Sequence, residues 1–86
     1  MKRTTRQEAN AEMTRIDNHF QARIEAIGQR EHAQVSEVCA EGLPDDVRDL
    51  LIRAIRVEAT RARKEAHDTW LADIQPWAQQ VVGATV

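Results

Sequence analysis

Aromatic residues are almost missing from this chain, with one Phe, two Trp and no Tyr, and proline and glycine number only two and three. A single cysteine, Cys39, excludes a scaffold of internal disulfides. No apolar run approaches the roughly 18 residues of a membrane span, and Met1-Lys2-Arg3-Thr4-Thr5 leads into no signal-peptide core. An excess of one charge is lacking too. Fourteen acids against twelve bases leave a formal −2, so no global field recruits nucleic acid or an anionic membrane. Alternating apolar runs and Asn-Gly or Asp-Gly turns do not occur, which removes the strand signals. What is present is 86 residues, 30% charged and 42% apolar, as expected of one soluble domain rather than a disordered chain. The expected compartment is the cytoplasm, and the expected class is all-α.

The few helix breakers sit where they punctuate. Gly42-Leu43-Pro44-Asp45-Asp46 lies near the centre. Gly42 suits the left-handed residue that closes a helix, Pro44 cannot continue it, and Asp45 or Asp46 can accept from the free N–H groups opening the next. Thr5-Arg6-Gln7-Glu8 reads as a capping box. These signals predict helices over about 6–41 and about 46–75. Pro76 is expected to kink or end the second, with a short helical segment restarting after it.

The apolar residues recur every eleven positions. On the first helix the rows are Met13, Ile24, Val35; Ile16, Ile27, Val38; and Ala9, Phe20, Glu31. On the second they are Leu51, Ala62, Asp73; Ile55, Ala66, Trp77; and Ala59, Trp70, Val81. Eleven residues in three turns is about 3.67 per turn, so each stripe runs nearly straight along its helix. Two such helices joined by a tight turn predict an antiparallel two-helix hairpin. Folding about residues 43–44 sets Phe20 against Ala66, Ile24 against Ala62, Ile27 against Ala59 and Ile16 against Trp70. Large side chains then meet small ones. The same register places Glu31 opposite Arg56 and Asp73 near Arg15. Gly28 interrupts the first helix, either on a solvated face or where another chain comes close.

A rod of two helices leaves apolar surface wet. Leu50, Ala54 and Val57 form a second row on the second helix, flanked by Ile52, and that row needs cover. Two hairpins pairing as a homodimeric four-helix bundle supply it, as does a partner protein.

Signs of catalysis are sparse. His19, His32 and His67 have no ligand-type residue four positions away on their own helices, and phosphate loops, Cys-x-x-Cys pairs and triads are missing. His19, His67 and Asp68 come near one another across the hairpin, but lack a third rigid ligand and an open cleft. No enzyme activity, cofactor or metal is expected. Cys39, at a helix C-terminus beside Glu37 and Glu41, reads as a small apolar residue rather than an activated thiol.

Arg53, Arg56, Arg63, Lys64 and His67 form a basic side of the second helix. It can dock an acidic partner or track phosphates, or be a solvated face in which Asp49–Arg53, Arg61–Glu65 and Lys64–Asp68 pair. The candidate partner-binding residues are therefore Arg53, Arg56, Arg63, Leu50 and Val57, with Trp77 beyond the proline as a further contact. In size and architecture the chain resembles small all-helical regulators and inhibitors of phages and plasmids, anti-CRISPR and antiactivator proteins among them. That resemblance carries no motif, so it assigns no residues; it implies a non-enzymatic protein that sterically modulates a larger one. A nucleic-acid-associated protein and a structural assembly subunit are the alternatives.

Overall fold

The computed structural model describes residues 5–83. Helix α1 spans Arg6–Ala40 and α2 spans Asp45–Gly83, and among the described residues there is no strand. Residues advancing along α1 meet residues receding along α2, so the helices are antiparallel and form the expected hairpin. Its extents are 63 × 18 × 16 Å with a radius of gyration of 19.3 Å. A compact chain of this length would have about 12 Å, so the molecule is a rod.

The punctuation acts as the sequence implies. Thr5 is extended at φ −72°, ψ 156°, and its Oγ1 accepts from the Glu8 N–H at 3.1 Å. At the other end Gly42 takes φ +68°, the left-handed conformation that an L side chain resists. The Pro44 carbonyl accepts from the Arg48 N–H at 2.9 Å, and Asp46 Oδ1 accepts from Val47 N–H at 2.9 Å, starting α2. Pro76 does not end α2, which continues through it to Gly83 as one helix. Proline's fixed φ is helical, and the residues after it hold their row on the seam, so packing outweighs the missing donor.

The eleven-residue rows of α1 all face α2. Ala9 and Ile16 are buried, and Met13, Phe20, Ile24, Ile27, Glu31, Val35 and Val38 are half-buried. On α2 two rows hold as read, with Ala59 and Ala66 buried and Ile55, Trp70, Trp77 and Val81 half-buried. The third row is displaced by one residue. Leu51 and Asp73 are exposed, while Ile52, Arg63 and Ile74 turn inward beside Ala62.

The seam's widest packing is aromatic. Phe20 lies 5.6 Å from Trp70 and 6.3 Å from His67 between ring centroids, and His67 lies 5.7 Å from Trp70. Phe20 and Ala66, and Ile16 and Trp70, line one small depression together, as the register requires. Trp70 Nε1 is buried there with no hydrogen-bond acceptor.

Candidate interaction surface

The polar interruptions of the two stripes meet each other. Glu31 Oε1 accepts from Arg63 Nη2 at 2.7 Å, with the Glu31 side chain 16% exposed. Arg56, the partner read from the register, is near enough only to add a favourable charge. The hydrogen bond from Arg63 holds the Glu31 carboxyl below its ordinary range, against the opposing effect of desolvation, and the positive charges of Arg63 and Arg56 lower it further. The guanidinium reaches Glu31 because Arg63 occupies the inward-turned third row, while Arg56 lies farther round the helix. Arg15 likewise pairs with Glu12 on its own helix at 2.9 Å, and Asp73 shares with it only the rim of a shallow depression.

Arg63 is therefore committed to the seam. Trp77 is also a seam residue, half-buried in the row of Ile55 and Ala66, and stands about 30 Å along α2 from Val57 at helical rise. Neither belongs with the other candidates.

Those others do come together. Arg53, Arg56 and Val57 line one open depression along α2 with Asp49, Ile52 and Thr60. Leu50 lies two helical turns before Val57 on the same side. Leu50 is 62% exposed and Val57 53%, with Val47 and Leu51 each at 40%. Sequence reasoning counted Leu51 as seam and passed over Val47. The signal was the Leu51-Ile52 pair, of which only one residue can turn inward.

The local ion pairs differ from the i, i+4 set. Arg48 takes both Asp45 and Asp49, each at 3.4 Å, and Arg61 pairs with Glu58 at 3.2 Å. Asp49 is drawn to Arg48 and away from Arg53. Among the described residues Arg53, Arg56 and Lys64 form no ion pair. The basic side is thus less neutralised than its sequence implies.

On the neighbouring side of the rod a groove of about 350 Å³ runs between the helices. Ile27, Ala54, Ile55, Ala59 and Ala62 make its apolar floor, with Arg30, Gln34 and Glu58 at the rim. Its depth comes from the alanines of α2. Gly28 does not contribute a close approach, since a Cβ there would meet nothing within 4 Å.

Other chemistry is dispersed. His67 packs on the aromatic pair, its Nδ1 4.0 Å from Asp68, while His19 lines the depression by Arg15. No group of three His, Cys, Asp or Glu side chains suited to a metal occurs among the described residues. Cys39 is exposed and unpaired, in the last turn of α1. No helix is long and apolar enough to cross a membrane among the described residues. Comparison with protein-family profiles, curated protein sequences and solved structures finds no match.

Proposed function

We propose that this chain is a non-enzymatic interaction module, a self-associating helical hairpin that binds a larger protein and modulates it sterically. One observation carries the reading: an exposed apolar row, Leu50 and Val57, runs beside the unpaired cations Arg53 and Arg56 on a single helix. Apolar surface next to uncompensated charge is the composition of a docking face, with burial supplying affinity and charge supplying orientation and encounter rate. Among the described residues only Ala9, Ile16, Ala59 and Ala66 are buried, so further cover also serves stability. The resemblance in size and shape to small helical regulators fits a mechanism of occupying a surface that the target needs.

The test compares wild type with Leu50→Glu/Val57→Glu and Arg53→Glu/Arg56→Glu. Mass by light scattering follows self-association, and capture from lysate follows the larger protein. The apolar variant should lose self-association and the charge variant the captured protein, both with helicity unchanged. Two variants that behave as wild type in both assays would remove the reading.

The unpaired cations Arg53, Arg56 and Lys64 favour a second reading, a nucleic-acid-associated protein. Affinity for duplex or single-stranded DNA or RNA would then fall steeply with salt and vanish in Arg53→Glu/Arg56→Glu.

A further inference from the structure

We infer that the basic depression of α2 is a seat for an acidic amphipathic helix of the larger protein, held between two side-chain ridges. The inference rests on the docking proposed above and names the kind of surface the partner brings.

The shape of the occupant follows from the spacing of the lining residues. Asp49, Arg53 and Val57 stand four apart along α2, and so do Ile52, Arg56 and Thr60. Side chains four apart on a helix form a ridge. The depression is therefore the groove between two neighbouring ridges, and α2 alone supplies both walls. Such a groove accepts the i, i+4 ridge of another helix, crossing at about 50°. An extended segment finds no sheet edge to pair with here, because the backbone groups of α2 are engaged within the helix.

The charge of the occupant follows from what neutralises these walls. Residues 50–64 contain Arg53, Arg56, Arg61, Arg63 and Lys64 against one acid, Glu58. Arg61 holds Glu58 at 3.2 Å, and Arg63 is engaged with Glu31 across the seam at 2.7 Å. Arg53 and Arg56, one on each ridge, are left without a counter-charge among the described residues. Lys64, unpaired and one turn beyond Thr60, extends the positive side. Asp49, the one acid of the groove, stands at its turn end with Arg48 at 3.4 Å. The complementary surface is acidic over the rest of the groove.

The walls also separate an acidic helix from nucleic acid. Ile52 and Val57 lie in them, Val57 53% exposed, and a phosphate backbone would leave both wet. Phe20, Trp70 and Trp77, the chain's three aromatic residues, sit in the seam, so no ring on this face can stack a base. A helix with an apolar ridge flanked by carboxylates covers Ile52 and Val57 and reaches Arg53 on one side and Arg56 on the other.

The experiment uses the full chain and two synthetic 18-residue helices of one pattern, leucines four apart flanked by either glutamate or lysine. Fluorescence anisotropy at physiological salt, where distant charges are screened, reads binding. The glutamate helix should bind at least tenfold tighter than the lysine helix, and Arg53→Glu/Arg56→Glu should weaken it at least tenfold. Arg6→Glu/Arg23→Glu makes the same change in net charge on α1 and should leave binding within twofold. Circular dichroism confirms that each variant stays helical. No binding of the glutamate helix at several hundred micromolar, equal binding of the two helices, or equal loss in both variants overturns the acidic helix. A 20-base-pair duplex that binds tighter than the glutamate helix overturns it as well. In any of these cases, a larger protein captured by wild type and lost in Arg53→Glu/Arg56→Glu leaves the docking reading standing, whereas capture unchanged in that variant overturns docking at these arginines too.

Discussion

Arg63 Nη2 and Glu31 Oε1 stand 2.7 Å apart across the seam, joining a polar member of one apolar stripe to a polar member of the other. A long cation can lie in an apolar row because its methylene stem packs while its head reaches the edge. The pair therefore joins the two helices at the seam edge without a break in packing.

Acid should weaken the hairpin through this pair. The folded-state pKa of Glu31 is depressed, so its contribution is complete above the unfolded glutamate value of about 4.3 and fades as pH falls through the lower folded value. Glu31→Gln should be less stable than wild type at pH 7, and the gap should close below pH 4. Urea midpoints taken from pH 7 to pH 3 measure this, and a gap that persists at pH 3 would contradict it.

Gly28→Ala should stabilise the fold. A Cβ meets open space, and alanine is about 1 kcal/mol better than glycine inside a helix. For a chain of this size the melting temperature should rise by roughly 4–8 °C. A loss of stability, or a loss of self-association, would mean that another chain does approach at this position.

Gly42→Ala should act in the opposite direction. The turn requires φ +68°, which costs a non-glycine residue about 1 kcal/mol, and Gly42→Asn should cost less because asparagine tolerates this conformation. Thermal melts of the two variants should rank wild type first, Asn next and Ala last.

Phe20→Ala removes the centre of the aromatic cluster and should cost about 3 kcal/mol, enough to unfold a marginal hairpin. Loss of helical ellipticity reads it. Phe20→Leu, which keeps most of the volume, should stay folded.

Pro76→Ala should stabilise the end of α2, because alanine returns a donor to the Ala72 carbonyl. Reduced amide exchange over residues 76–82 would show it, with an expected gain on the order of 1–3 kcal/mol for a proline inside a helix.

Much of the fold was legible in the sequence because its signals are local. Thr5, Gly42 and Pro44 fix where each helix begins or ends through their own backbone chemistry, and the spacing of Ala9, Ile16 and Phe20 fixes which side packs. Less legible was anything decided by one position in rotation. Leu51 and Ile52 are equally apolar, and only the geometry of the seam turns Ile52 inward. That rotation carries Arg63 to Glu31 and leaves Leu51 in solvent. The proline penalty at Pro76 was legible, and so were the seam positions of Trp77 and Val81; that their packing outweighs the penalty was not. Of the candidate surface, Leu50, Arg53, Arg56 and Val57 were readable as neighbours on one helix. Arg63 and Trp77 lie apart from that surface, in the seam, because their long side chains suit either a rim or a seam.

The straight stripes have a consequence for evolution of length. Adding one complete repeat of eleven to each arm would extend the rod by about 16 Å and return every side chain to nearly the same azimuth. Distance between the turn and the tryptophan end is thus a quantity that can change in whole steps, while the orientation of whatever is held at either end is preserved.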